Sequence, residues 1–377
     1  MVVKDRVVSL LKELVAIDSQ NPSSDEKKIA SFVKAYLEKL GVRTKVYEFR
    51  KRRSNIVACI DGRDIKRSLL ITPHLDTVPA GKSWTVDPFA GVIKAGKLYG
   101  LGATDCKCNI ACALEAIRSI IEDGAGLNYR LIFAATADEE SGSEWGLIPL
   151  LKQGILRPCA AVVLDSDDYS IVVAQKGLMH LKVKIRGKKA HGAYPWLGEN
   201  AIDTALDVLR DLKKQKAVFT KNKYLRAPTV NIGTIHGGDK VNVVADWCEF
   251  ELDFRFLPGM TAEGLQATLR RILRRHSRAF EVEIEGVQQP YMITEKHRLV
   301  TGLKEAMLGM NIKPLVSGSE GATVITFFQH YGIPAVATGF GAQGCAHKAD
   351  EYVSVDNLYK GTLVLEEFLK KFSFESG

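Results

Sequence analysis

The run Thr72-Pro73-His74-Leu75-Asp76-Thr77-Val78-Pro79 sets a histidine and an acid two residues apart, directly after the apolar stretch Ser68–Thr72. Open α/β sheets hold their ligands at the carboxyl ends of strands, and there His74 could bind a metal while Asp76 orients its other ring nitrogen. Standing alone, such a His-x-Asp pair is an ordinary polar turn. A second run, Tyr99-Gly100-Leu101-Gly102-Ala103-Thr104-Asp105, precedes a helical stretch. Its glycines let the backbone pass close to something bulky, and Asp105 at a helix start has the simpler use of an N-cap. The third run, Thr136-Ala137-Asp138-Glu139-Glu140-Ser141-Gly142, follows a strand. Adjacent carboxylates repel, so gathering them at a buried end is costly unless a cation compensates; in water the same run is an acidic loop. Asp165 follows the apolar stretch Ala160–Leu164, and Ala346-His347 falls in the late loop Gly339–Asp350. Each signal is weak by itself. Together they supply two histidines and at least four carboxylates, nearly all at predicted strand ends of one sheet. Nitrogen and oxygen donors with no required thiolate suit zinc, or cobalt and manganese, in an open catalytic site.

The elements that must position these groups alternate. Val8, Leu11, Leu14 and Val15 have helical spacing. So do Ile29, Phe32, Val33, Tyr36 and Leu37, with Ser23, Ser24 or Asp25 as a possible cap. Cys108–Ile121 reads as a helix, and Arg130–Thr136 and Ala160–Leu164 as short apolar strands. This order predicts an α/β layer structure with a partly parallel sheet. The character changes near Lys176-Gly177. Leu181–Ile185 alternates as a half-exposed strand, and Ile202, Ala205, Leu206 and Leu209 form a helical stripe. Val230–Ile235, Cys248–Phe256 and Phe280–Ile284 are strand-like and Ala262–Arg275 is helical, a βαββαβ order that makes a small sheet with two helices on one face. After Gln289 the α/β character returns, with a helix over Gly321–His330, a strand over Ile333–Thr338 and a last helix over Val355–Phe372. The reading is a discontinuous domain, 1–175 with 288–377, interrupted by an inserted one, 176–287.

The chain has 377 residues, 46% hydrophobic, enough for a large core. Its net charge is +8, and runs such as Arg50-Lys51-Arg52-Arg53 and Arg270-Arg271-Ile272-Leu273-Arg274-Arg275 raise the question of nucleic acid. They lack interleaved aromatics and a binding motif, so solvated faces are expected and no nucleic-acid partner. No stretch approaches the roughly 20 apolar residues that span a bilayer, so no membrane partner is expected either. Seven scattered cysteines fit a reduced compartment, and with no signal peptide in view the expected location is the cytoplasm.

The ordered set of motifs resembles the metallopeptidase and deacylase family that includes acetylornithine deacetylase, succinyl-diaminopimelate desuccinylase, aminoacylase and carboxypeptidase G. The similarity runs over nearly the whole chain. It implies a zinc-peptidase-like catalytic domain with a mixed, largely parallel sheet, and an inserted ferredoxin-like βαββαβ domain that dimerises and acts as a lid. It implies two Zn²⁺, with Co²⁺ or Mn²⁺ able to substitute. Asp105 would bridge them, His74 and Asp165 would complete one site, and Glu140 and His347 the other. Glu139 would be the general base and Asp76 would support His74. For the Asp165 position, Asp167 and Asp168 lie close by as alternatives. His191, in Lys189-Ala190-His191-Gly192, resembles the histidine that reaches a neighbouring subunit's site to stabilise the oxyanion, although on its own it reads as a surface turn residue. Arg255 and Asn242 resemble positions that hold a substrate carboxylate, a task suited to an arginine fork. A non-proline cis peptide is implied between Asp105 and Cys106.

The implied activity is hydrolysis of the amide bond of a small N-acyl amino acid or short peptide by a metal-activated water, in a homodimer. Carboxypeptidase or dipeptidase action is the alternative within the family. A metabolite- or peptide-binding protein that has lost catalysis is the alternative outside it, and the presence of Glu139 with all five ligand positions speaks against that. One departure stands out. Where the family reads Asp-Met-Lys-Gly-Gly, this chain has Asp105-Cys106-Lys107-Cys108-Asn109, with Cys112 one turn on and Cys345 two before His347. Small buried residues are the plain reading; a thiol near a metal, sensitive to oxidation, is the sharper one.

Overall fold

The computed structural model describes residues 1–23, 25–321 and 323–374. The chain forms two compact units. The first comprises Met1–Val173, Ile293–Ser317 and Phe327–Gly377; the second comprises Ala174–Met292 and Gly318–Thr326.

The first unit is built on a mixed sheet whose centre is parallel. Ser68–Thr72 pairs in parallel with Arg130–Ala135 on one side and Ala160–Leu164 on the other, and Ala335–Thr338 pairs in parallel with Ala160–Leu164. Ser68–Thr72, Ala160–Leu164 and Ala335–Thr338 are buried at every position. Strands covered on both faces take continuous apolar sequence, which is why these runs carry no alternation. Because the four strands are parallel, their carboxyl ends share one edge of the sheet. Antiparallel strands flank this centre: Arg53–Ile60 pairs with Arg130–Ala135, and Thr44–Arg50 pairs with Arg53–Ile60. Neither has a strong sequence signal, since Thr44–Arg50 is a half-exposed edge carrying Lys45, Glu48 and Arg50, the kind of charge that keeps an edge from pairing with other chains.

The helices Lys4–Val15, Lys107–Glu122 and Val355–Lys371 pack on one another, and Lys27–Lys39 lies on Arg53–Ile60. The helix Lys27–Lys39 has no side-chain N-cap; Asp25 Oδ1 accepts from Lys27 N at 3.0 Å, and Ser24 lies outside the described residues. A small antiparallel sheet of Val92–Lys94, Lys97–Tyr99 and Tyr352–Ser354 sits before and after the site segments in sequence.

The second unit is a four-stranded antiparallel sheet in the order Thr229–Gly237, Trp247–Phe256, Gly177–Arg186, Phe280–Gln288. Gly177–Arg186 and Trp247–Phe256 alternate between buried and more exposed residues, the period-two pattern of a sheet covered on one face. Leu181, Val183, Phe250 and Leu252 form one core with Ala205, Val208, Leu209, Leu269 and Ile272 of the helices Ala201–Lys214 and Ala262–His276. Gly318–Thr326 also belongs to this unit, although the sequence reading leaves it in the discontinuous domain. Polar ties account for the difference. Lys176, 2% exposed, pairs with Glu320 at 2.6 Å, whose other oxygen accepts from Arg226 N at 2.8 Å, and Gln175 exchanges hydrogen bonds with Thr323. The helix expected over Gly321–His330 is correspondingly shorter, Ile325–His330. Among the described residues no helix is long and apolar enough to cross a membrane.

Candidate metal centre

Each parallel strand of the first unit delivers a polar group at its carboxyl end. His74 follows Ser68–Thr72, Glu139 and Glu140 follow Arg130–Ala135, Asp165 follows Ala160–Leu164, and the loop after Ala335–Thr338 leads to His347. Main-chain bonds tie these ends together: Leu75 N donates to Thr136 O at 2.7 Å, Thr136 N to Pro73 O at 3.1 Å, and Tyr169 N to Gly339 O at 3.0 Å. The approach at Gly339 leaves no room for a side chain, since a Cβ there would lie 1.8 Å from Ser166 O. Gly102 has φ +81°, the left-handed conformation that glycine adopts freely. The peptide between Asp105 and Cys106 is cis.

Asp105 lies between the two histidines. His74 Nε2 is 2.9 Å from Asp105 Oδ1, and His347 Nε2 is 3.1 Å from Asp105 Oδ2. Glu140 Oε2 is 3.1 Å from the same His347 nitrogen, and Asp165 Oδ1 is 3.9 Å from His74 Nε2. Donor atoms of His74, Glu139 and Asp165 converge within 4.8 Å of one another, as do those of Asp105, Glu140 and His347. Asp167 and Asp168 join no such group.

The electrostatics of this cluster call for positive charge. Burial, then the negative charge of Asp105, pushes the Asp165 carboxyl up to about 7. Burial and Asp165 likewise raise Glu139. Asp105 is buried too, yet hydrogen bonds from His347 and His74 outweigh this and hold it low. His347, bonded to Asp105 and Glu140, is raised to about 10. Four carboxylates facing two imidazoles, with oxygen and nitrogen donors only, make a set that fits divalent cations of the zinc type.

Cys106 also stands near His74 and Asp105. Burial pushes its thiol up to about 12, and its sulfur is engaged with the His74 main chain, 3.2 Å from N and 3.4 Å from O. It therefore packs as a neutral thiol. Cys108 bonds Thr104 O, and Cys112, also raised to about 12, bonds Leu358 O. All seven cysteines are free, and no group of three gathers among the described residues.

Asp76 meets His74 Nδ1 with both its main chain and its side chain. The group 2.9 Å from His74 Nδ1 is the Asp76 main-chain carbonyl; the carboxylate is 3.6 Å away. That fully buried carboxylate also accepts from Glu139 N and Glu140 N, each at 3.1 Å. In the second unit His191 is exposed and pairs with Val243 in a short antiparallel bridge, and Gly192 N donates to Asn242 O at 2.8 Å. His191 and Asn242 are thus neighbours. Arg255 lies elsewhere in the unit, its fork held by Asp253 at 2.8 and 3.0 Å.

Sequence reasoning passes over Glu351. Its carboxylate accepts from the main-chain N–H groups of Gly102, Thr104 and Asp105 at 3.0, 2.7 and 2.8 Å, fixing the turn that presents Asp105. Burial pushes it up to about 7 in spite of those bonds. It also passes over Glu26, Asn21 and Arg53, which lie behind Asp76.

A parallel sheet that gathers histidine and carboxylate donors at its carboxyl ends is the architecture of a metallopeptidase-type hydrolase. The chain belongs to Peptidase family M20/M25/M40, whose model matches residues 70–371. It is 33% identical to the acetylornithine deacetylase of Klebsiella pneumoniae (strain 342) over 297 residues, 76% of this chain and 75% of that one. It is 30% identical to the acetylornithine deacetylase of Proteus mirabilis (strain HI4320) over 369 residues, 92% of each chain. Among solved structures, aminopeptidase PepT from Bacillus cereus ATCC 10987 shares the fold, with a TM-score of 0.82 at 22% identity over 98% of both chains.

Proposed function

We propose that the chain is a two-zinc amidohydrolase that cleaves the amide bond of a small N-acyl amino acid or short peptide. One observation carries the reading: the two oxygens of Asp105 face two different imidazoles, each with a second carboxylate beside it. Asp105 would span the two ions, with His74 and Asp165 on one and Glu140 and His347 on the other. Bound there, the ions would activate a water at neutral pH and polarise the scissile carbonyl. Glu139 then acts as the proton carrier. Its carboxylate takes the proton of the attacking water and returns it to the nitrogen of the leaving amine. The Glu139 carboxyl gathers with the His74 and Asp165 donors, where it can hold that proton between the two transfers. The relatives named acetylornithine deacetylase support an N-acyl amino acid as substrate, and the shared fold of an aminopeptidase keeps short peptides in the panel.

The remaining assignments belong to the second unit. His191 would donate to the oxyanion, and Asn242 and Arg255 would bind the substrate carboxylate, Arg255 by exchanging Asp253 for it. The unit would pair with its copy in a two-fold dimer, and the enzyme would work in the cytoplasm. Thr229–Gly237 is an edge strand with an exposed Ile235, a surface that pairing would protect. The test is kcat/KM across N-acetyl and N-succinyl amino acids, dipeptides and tripeptides with zinc supplied. One class should be turned over well above the others; no hydrolysis of any amide in the panel would overturn the proposal.

A further inference from the structure

The acidic turn that carries Glu139 and Glu140 is held by side chains. Asp138 N donates to Glu26 Oε1 at 3.2 Å, Glu139 N to Asp76 Oδ1 and Glu140 N to Asp76 Oδ2, both at 3.1 Å. Three consecutive amides thus end on two buried carboxylates, and Asp138 sits at φ 64°. Asp76 has one further donor, Asn21 Nδ2 at 2.9 Å, which also reaches Asp138 Oδ1 at 3.3 Å. Asn21 Oδ1 accepts from Arg53 Nη2 at 2.9 Å, and Arg53 Nη1 donates to Glu26 Oε1 at 2.5 Å. The cluster therefore contains three buried acids, a 4%-exposed asparagine and an arginine whose fork joins two of its members.

We propose that Asn21 and Arg53 are positioning residues for amide hydrolysis, acting through Asp76 to set the Glu139–Glu140 turn. The proposal rests on the roles assigned above to Glu139 and Glu140. Asparagine presents a donor at one end of its amide and an acceptor at the other. The Arg53 bond to Oδ1 fixes which end faces Asp76, because the flipped amide would set oxygen against carboxylate. Lysine is a point donor and cannot span Asn21 and Glu26 as the guanidinium does. Without the Asn21 donor, the Asp76 carboxylate loses a partner in a buried site and can turn toward His74 Nδ1, 3.6 Å away. Doing so gives up the amides of Glu139 and Glu140. Misplacing the first slows proton transfer; misplacing the second weakens the Glu140–His347 donor pair.

The test uses Asn21→Ala and the milder Arg53→Lys in the full chain, measuring zinc affinity by chelator competition, kcat and KM separately, and Tm. Support of metal ligands from outside is typically worth about 10- to 100-fold. Asn21→Ala should lose that much in zinc affinity and in kcat with KM unchanged, and Arg53→Lys should lose less in the same direction. In an Asp76→Ala background, Asn21→Ala should cost nothing further, since the two act as one unit. Wild-type zinc affinity and kcat in both variants, or additive losses with Asp76→Ala, would overturn the positioning role. Glu139→Gln, assayed alongside, separates the two ideas. If it keeps full turnover the catalytic reading fails, while the zinc-affinity measurements still decide whether Asn21 and Arg53 set Glu140. Should Asn21→Ala not fold, Arg53→Lys carries the same comparison.

Discussion

Asp105 faces one imidazole with each oxygen, so the donors divide into halves that can be removed separately. His347→Ala should lower bound zinc from two ions to one per chain by elemental analysis; unchanged content would strike His347 from the ligand set. Glu139→Gln should keep both ions and lower kcat by about 10²- to 10⁴-fold, the usual worth of a positioned acid–base group; loss of metal instead would make Glu139 a ligand. The residues in these two predictions are legible only through the ordered set of motifs and the family it resembles, since a histidine or acid after an apolar strand is a weak signal alone and His347 lies well into the loop after Ala335–Thr338. Asn21, Glu26, Arg53 and Glu351 are not legible in that way. They act on backbone N–H groups and on one another, and nothing in their spacing records a partner far along the chain. The part of Asp76 is half legible: His-x-Asp predicts contact with His74, but which oxygen makes it depends on where the Glu139–Glu140 amides arrive.

The central strands follow from their uninterrupted apolar runs, and their parallel order puts the donors on one edge. The strands Thr44–Arg50 and Arg53–Ile60 escape prediction because one is a charged edge and the other is mostly buried without alternating. Their placement matters, since Arg53 opens the second of them and Glu26 stands just before the helix Lys27–Lys39. Burial, then the charge of Asp76, pushes Glu26 up to about 7 against the pull of Arg53, and its Oε2 is buried without a partner. Between the ordinary 4.5 and about 7 the folded chain keeps a proton that the unfolded chain has released. Stability from this group therefore falls as pH rises through that window, by on the order of 3 kcal/mol. Glu26→Gln has no such proton. Relative to wild type, its stability in urea unfolding should improve between pH 4.5 and pH 7.5; a pH-independent difference would show that Glu26 titrates normally.

At the scale of the molecule, the change from buried to alternating strands near Lys176 marks the second unit in the sequence, whereas the return of Gly318–Thr326 to it depends on Lys176 meeting Glu320 and has no local signal. His191 lies on that unit and the proposed metal donors on the other, which gives the proposed dimer a chemical consequence. If His191 serves the partner's site, mixing the inactive variants His191→Ala and Glu139→Gln should restore one working site per heterodimer. No recovery with heterodimers confirmed by mass spectrometry would exclude action in trans, and a strict monomer by light scattering would remove the dimer as well. The claim on which all of this rests is that amide hydrolysis depends on the divided donor set around Asp105. It is tested most directly by stripping the protein of metal and following hydrolysis of its best N-acyl amino acid or peptide as zinc is added back. Turnover should be absent at first and rise to a plateau at two zinc ions per chain; hydrolysis that persists after stripping, or that never appears as zinc is restored, would contradict the account.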